Sequence, residues 1–520
     1  MAIAVPGLAF GTKAAINRTM FLCQVASPAL AMAFAFSLAV CAPAAPSSVP
    51  VKNAGAYNES GSDKYAKGDL DGAIADFSQA IQLNPKLTKA YYNRGLARYD
   101  QGSLADAIAD YDQAIRLNPA FEDAYVSRAM AKDDNNDHDG AIADENEALK
   151  LDPRDPYAYN NRGWAHYRKG DLDAAIEDYN LAIKLDPSMS QPYNDRGVAE
   201  RDRGELAQAI ADYTLAIKLN PQDDQAYYNR GIARDDKGDT DGAITDDDQA
   251  IRLDPKYTDA YLSRAEAKAE REEWDGALAD YDQAIVLDPK NSAARNERGL
   301  TWDRKGDTTA ALADYGQALE IDPKNADAYN NRGNLEKALG DRKAARNDYD
   351  QALFSDPQCD SAYNDRGILK QDQGDLDGAA ADYAQAVQQN AKNAEAFSNL
   401  SSLHTAQGDW AGAIAYASRA IELDASFSQA YNNRGVAKYH QHDVTGALAD
   451  YDRALEIDPN DEHAYNNRGL ALQARGDLEG AMADFDLAIQ IDPQFSQAQH
   501  NRAWAKWHDG DVLGALLDLF

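Results

Sequence analysis

The chain has 520 residues, with 86 Asp and Glu against 52 Lys and Arg, a formal net charge of -34 at pH 7. This acid excess argues against binding nucleic acid through its phosphates, which needs clustered positive charge. Three cysteines, Cys23, Cys41 and Cys359, exclude a disulfide framework and a four-cysteine zinc site, and the acids are spread among regularly spaced Ala, Tyr and Leu, not gathered in disordered blocks.

The N-terminal segment is a different kind of sequence. Behind Lys13 and Arg18, Met20 to Val40 is almost wholly apolar, and Cys41-Ala42-Pro43-Ala44-Ala45-Pro46 follows. A positive end, an apolar middle and small residues stand in the order of an export signal, with Ala42-Pro43-Ala44 as the cleavage site. Residues 1–44 are therefore expected to be a signal peptide and the mature chain to be exported, periplasmic or secreted. The alternative is an uncleaved membrane anchor, since about 20 apolar residues can span a bilayer, although Pro28 and the many alanines weaken it. Leu38-Ala39-Val40-Cys41 resembles a bacterial lipoprotein box with Val40 in a place that expects Gly, Ala or Ser. Membrane association is expected only if the segment stays uncleaved or Cys41 is lipidated. Residues 45–55 read as a linker.

From Ala56 onward a period takes over. Pro85, Pro119, Pro153, Pro187, Pro221, Pro255, Pro289, Pro323 and Pro357, then Pro459 and Pro493, keep a 34-residue register, with Ala391 and Ala425 in the skipped places. Residues 56–520 thus hold 13 full repeats and an unfinished fourteenth, the mark of a stacked architecture. In the second repeat, Ala90-Tyr91-Tyr92-Asn93-Arg94-Gly95 and Asp110-Tyr111-Asp112-Gln113-Ala114-Ile115 predict two short helices between Gly and Pro punctuation. The first ends at a glycine such as Gly102 or Gly170, suited to a left-handed terminus; Asn136, Glu272 and His442 replace it in three repeats. An acid or Ser follows, as at Asp69, Asp171 and Asp477, placed to cap the second helix. Gly61, Gly95, Gly163 and their equivalents are always Gly, Ala or Ser, and the facing alanine, from Ala73 to Ala515, recurs in all 14 repeats. Larger side chains there would push the helices apart. Glu145, Asp247 and Ala417 stand where the second helix elsewhere carries Tyr, which predicts softer joints.

This pattern resembles the tetratricopeptide repeat family over roughly residues 56 to 519. The resemblance implies an all-α fold, a right-handed superhelical solenoid of 34-residue helix-turn-helix repeats with a concave groove lined by the first helices. Helices this short are marginal alone, so each repeat must bury its face on the next.

The array departs from the family just before the small Gly, where Arg94, Arg128, Arg162, Arg196 and equivalents fill 12 of 14 repeats. Asp76, Asp110, Asp144, Asp178 and Asp212 are nearly as regular on the second helix, and the repeat with Tyr416 for this Asp has Leu400 for the Arg. A ladder of Arg–Asp pairs, within or between repeats, is expected.

One inward place on the first helix is Asn93, Asn161, Asn229, Asn331, Asn399, Asn433, Asn467 and Asn501, interrupted by Ser127, Asp195, Ser263, Glu297 and Asp365. An amide donates and accepts at once, matching a peptide backbone. The track resembles the asparagine ladder of O-linked N-acetylglucosamine transferases, which implies a main-chain grip on extended polypeptides; the opposing reading has the asparagines bonding adjacent repeats. Trp164, Tyr99, Tyr167 and Tyr439 read as side-chain pockets beside the track, and Asp133, Asp134, Asp235 and Asp236 would favour basic segments. The Lys-x-x-x-Asn and Lys-x-x-x-Arg clamp of chaperone-tail-binding relatives is missing.

No phosphate loop, nucleophile elbow or His–acid motif stands apart from the repeat register, and Asn135 to Gly140 reads as an acidic turn, not a calcium loop. No enzyme activity, cofactor, metal or nucleic acid is implied. The expected partner is a protein or peptide with basic segments, held in the groove of an exported scaffold. The alternative is a regulatory or substrate-docking subunit whose C-terminal end, Leu516-Leu517-Asp518-Leu519-Phe520, completes itself on a partner enzyme or in a homodimer.

Overall fold

A computed structural model of the protein describes residues 53–511 and 513–515. The signal-peptide reading of residues 1–44, all but the end of the 45–55 linker, and Leu516 to Phe520 lie outside them. The described residues form 27 helices, from α1 (Ala54–Tyr65) to α27 (Ser496–Asp509). Odd-numbered helices open the repeats; even-numbered ones, from α2 (Leu70–Leu83) to α26 (Leu478–Ile491), start 34 residues apart.

The chain divides into two compact units, Met1–Ala90 and Tyr91–Phe520. In the first, α1 packs on α2, and the Phe77 ring lies so close over Gly61 that a Cβ there would stand 2.7 Å from it. In the second, each of the first helices that start between Glu122 and Glu462 packs on its own second helix, and that one on the next first helix. Consecutive first helices also touch while consecutive second helices do not. The first helices are therefore the inner layer of this unit.

Its core is one unit of packing repeated. Tyr111, Tyr179, Tyr213, Tyr281, Tyr315, Tyr349, Tyr383, Tyr451 and Phe485 are buried, each beside alanines such as Ala107, Ala175 and Ala209. A Cβ on Gly333 would sit 2.8 Å from the Tyr349 ring, tighter than packed carbon atoms tolerate. At the end of the first helix, Gly102 (φ 80°) and Gly170 (φ 87°) turn left-handed, and so do Asn136 (φ 62°), Glu272 (φ 61°) and His442 (φ 67°). Side chains in this region cost about 1–2 kcal/mol, with Asn less penalised. Glu272→Gly is accordingly expected to stabilise by about 1 kcal/mol, read as a rise in thermal midpoint; an unchanged midpoint would rule out strain at this turn.

The capping expectation needs correction at three places. Asp171 and Asp477 accept from the Ala174 and Gly480 amides at 3.2 and 2.9 Å, as the pattern predicts, but Ser103, Glu205 and Glu273 make no cap bond. Glu is a methylene longer than the Asp that fits the cap. Glu205 and Glu273 instead pair with Arg203 and Arg271, at 2.8 and 3.0 Å.

The three places that lack the tyrosine differ from one another. Beside Ala417, the Ser401 hydroxyl donates to the Ala413 carbonyl at 2.8 Å, and Tyr416 packs with Leu400, Leu403 and Tyr383. Glu145 and Asp247 are 1% and 0% exposed, and none of their four carboxylate oxygens has a hydrogen-bond partner. Burial pushes Glu145 well above the usual carboxylate range, against a downward pull from Asn161. It pushes Asp247 up to about 8, opposed by the neighbouring Ser263 hydroxyl and reinforced by Asp246.

Candidate functional site

The inner helices are fixed in place by their arginines. Arg162, on α7 (Pro156–Arg168), donates from Nε and Nη2 to both oxygens of Asp178 on α8 (Leu172–Leu185), at 2.9 and 2.5 Å. Its Nη1 reaches Asn146 of the preceding repeat at 2.7 Å, and the guanidinium lies 5.2 Å from the centre of the Tyr159 ring. The same fork joins Arg94 to Asp110, Arg230 to Asp246 and Arg468 to Asp484. The third contact crosses to Asp112 from Arg128, to Asp282 from Arg298 and to Asp350 from Arg366. The ladder therefore runs both within and between repeats. It lapses where Leu400 and Tyr416 stand, and in the first unit Asp76 takes Ser60 and Lys64 instead, at 2.7 and 2.8 Å.

A second cation, four residues after the ladder arginine, often shares the same Asp: Lys132 on Asp144, Arg234 on Asp246, Lys268 on Asp280. Glu200 and Glu336 occupy that place in two repeats. Burial first, then Asp212 or Asp348, pushes each up to about 7.

The asparagine track is anchored across repeat boundaries. Nδ2 of Asn229, Asn331, Asn399, Asn467 and Asn501 donates to Oδ1 of Asn194, Asn296, Asn364, Asn432 and Asn466, at 2.8–3.1 Å, and Asn433 donates to Ser398. Asn161, which follows Val126 and so has no amide to meet, lies against Glu145; Asn93 is part-buried. Two interruptions keep the bond with its polarity reversed: Nδ2 of Asn160 and Asn330 donates to Asp195 and Asp365, at 3.0 and 2.9 Å. Sequence reasoning missed these partners, although they show the same period one residue before the track. One N–H of each anchored amide is thus committed to the neighbouring repeat.

The aromatic candidates are held as well. The Tyr167 hydroxyl donates to Asp202 at 2.7 Å, Tyr99 donates to Asp134 in the same way, and Trp164 stacks on Tyr167 at 5.3 Å. Tyr439 packs against the buried Ala447, Leu448, Tyr451 and Ala471. The structure therefore places these tyrosines as struts between neighbouring repeats.

Several carboxylates on the same layer are in no ion pair, although Glu297 accepts from Asn296 at 3.1 Å. Among the described residues, no cation lies within ion-pair distance of Asp235, Glu266, Glu297, Asp259, Asp327 or Glu395. The pKa of all six is raised, chiefly through partial desolvation by the atoms crowded around them, although Asp259, Glu266, Asp327 and Glu395 are themselves exposed; Glu297, Asp235 and Glu270 add to that of Glu266, which reaches about 7. An arriving cation would favour the ionised form of each.

Sequence profiles described as TPR repeat match residues 61–102, 197–234 and 304–340. Others described as tetratricopeptide repeat match 126–190, 330–394, 364–426 and 399–462, then 88–121 and 463–495, and 224–257. No curated protein matches the chain. Among solved structures it is similar to a chain of the APC/C hetero-tetramer Cut9-Hcn1, at 13% identity over 88% of this chain and 97% of that one, with a TM-score of 0.50. It is also similar to YrrB, a TPR protein with an unusual peptide-binding site, at 21% identity over 35% of this chain and 95% of that one (TM-score 0.32). The likeness to MamA is 29% identity over 33% and 93% (TM-score 0.31). Paired helices in a 34-residue register and profile matches along most of their length lead to one conclusion: the chain belongs to the tetratricopeptide repeat family.

Proposed function

We propose that this protein-interaction scaffold holds extended, basic polypeptide segments along the inner face of its first helices. The observation that carries the reading is the contrast between two sets of acids. Ladder aspartates such as Asp178 and Asp246 are each forked by an arginine, whereas Asp235, Glu266 and Glu297 on the first helices are in no ion pair among the described residues, Arg304 acting on Glu297 only from beyond pairing distance. Anchored amides beside them favour an extended main chain, because an orientation already fixed by the neighbouring repeat costs little further ordering on binding. Export, periplasmic or secreted, belongs to this reading on the composition of the N-terminal segment alone.

The test is fluorescence anisotropy with labelled extended peptides of alternating Gly-Ser and Lys or Arg, against Glu-substituted counterparts. The basic set is expected to bind at least about tenfold more tightly and to weaken with salt. Asn331→Ala and Asn433→Ala, checked for intact helicity, should each weaken binding severalfold. Equal affinity for basic and acidic peptides would sink the reading.

A further inference from the structure

We infer that the edge of the array at the starts of α18 (Arg342–Ser355) and α20 (Leu376–Gln389) is a self-complementary docking surface for a second copy of this chain. The inference goes beyond peptide holding, and its test needs no peptide.

This edge has an ion-pair pattern of its own. An acid in the first turn of a second helix pairs with a cation at the end of the next first helix: Asp139 with Lys169 at 2.6 Å, Asp173 with Arg203 at 2.8 Å, Asp275 with Lys305 at 2.5 Å, and Asp241 with Arg271. Among the described residues no such pair follows Lys305. In the same register stand Thr309 with Leu339, Lys343 with Gln373 and Asp377 with Gln407. One repeat thus carries a cation without an acid, and the next an acid without a cation.

Two more substitutions enlarge the cationic side. Arg346 stands where every other described second helix has Ile, Leu, Met or Ala, and Arg342 where Leu is commonest. Arg342, Lys343 and Arg346 are all exposed, no acid shares their first turn, and none is in an ion pair. Helix stability does not account for them, because the positive end of a helix dipole repels cations and favours the acids that other second helices place there. On α20, Asp377 is likewise exposed and unpaired, with Asp372 and Asp375 exposed in the turn before it. Two leucines of the same turns, Leu339 and Leu376, are 56% and 38% exposed, which adds apolar area to the patch.

Lys343 and Asp377 hold the same place in successive repeats. A copy turned about a two-fold axis between them therefore sets Lys343 over Asp377 of the other copy and Asp377 over its Lys343, so each pair is made twice. Successive acids, as at Asp139 and Asp173, would repel under the same operation. The net charge of -34 opposes association, but charges more than about 8 Å apart are largely screened at physiological ionic strength, and the adjacent pairs decide.

Sedimentation equilibrium of the full chain, at about 100 µM and physiological ionic strength, is expected to show monomer and dimer in equilibrium. Lys343→Asp and Asp377→Lys should each weaken the dimer at least about tenfold, since each change is felt twice. The double variant restores every pair with its sense reversed and should return to within about threefold of wild type. Leu339→Ser should weaken the dimer with no change of charge. Circular dichroism checks that each variant keeps its helices. A monomeric wild type overturns the inference, and so does a dimer that both single variants leave intact, which would place the contact elsewhere, or a double variant as weak as the single ones.

Discussion

Arg332→Met is expected to cost about 3–5 kcal/mol of local stability, the usual consequence of leaving a buried charge without its partner. Arg332, on α17 (Ala326–Ala338), forks onto Asp348 of α18 (Arg342–Ser355) at 2.6 and 2.9 Å, and Asp348 is only 2% exposed. The place that supplies a second cation elsewhere is Glu336 here, so without the arginine Asp348 keeps a long 3.4 Å bond from Asn347 and a neighbouring acid. Arg230→Met should be milder, about 1–3 kcal/mol, because Arg234 still holds Asp246 at 2.8 Å. Replacing both partners, Arg332→Met with Asp348→Leu, should recover most of the loss. Repeat arrays open locally, so the readout is hydrogen exchange across 326–355 together with urea titration. Unchanged protection in Arg332→Met would mean that the guanidinium is merely solvated.

The second large effect runs the other way. Asp247→Tyr is expected to stabilise the pair α11 (Asp224–Asp236) and α12 (Thr240–Leu253) by about 2–4 kcal/mol near pH 8, by removing an unpartnered buried carboxyl and restoring a ring over Gly231. The gain depends on pH with a definite sign. Asp247 titrates near 8 in the fold and near 4 in an unfolded chain, so between those values the folded state holds the proton more tightly. Its contribution to stability is therefore fully present below about pH 4 and lost as the pH rises towards about 8. Urea midpoints at about pH 5 and about pH 8 should converge in the variant relative to wild type; an identical pH slope in both proteins would show that Asp247 is not the titrating group.

The parts of this structure legible in the sequence are those in which each residue reports on its own backbone or on its own repeat. Asn136, Glu272 and His442 could be placed in the left-handed turn because a period of 34 sets them in a glycine's place. The Arg–Asp ladder was legible because Leu400 and Tyr416 fail together. The asparagine anchoring was harder to see, since a bond between residues 35 apart depends on how far one helix is offset against the next, which no single repeat encodes. For the same reason Tyr99 and Tyr167 were legible as inner-face aromatics but not as donors to Asp134 and Asp202. Glu145 and Asp247 stood out as irregular, yet whether such a side chain swings outward or stays inside without a partner is decided by packing alone. Among the unpaired carboxylates, Asp235 was legible as an acid that favours basic segments and Glu297 as a break in the asparagine track; the others were visible only as an acid excess until the ladder had claimed its own arginines.

The reversed bonds at Asp195 and Asp365 have a consequence for how such a chain can change. An asparagine amide that turns over exchanges donor for acceptor, so Asn160 and Asn330 serve an aspartate with the group that Asn194 and Asn296 use to accept from an asparagine. A repeat carrying this amide tolerates either successor. Whole 34-residue blocks can then be duplicated, deleted or exchanged among the repeats that carry Asn160, Asn194, Asn296, Asn330, Asn364, Asn432 and Asn466 without stranding a polar group at the new junction, whereas blocks bearing Val126 or Leu262 cannot be moved so freely. The side chain that welds neighbouring repeats together is also the one that makes them interchangeable.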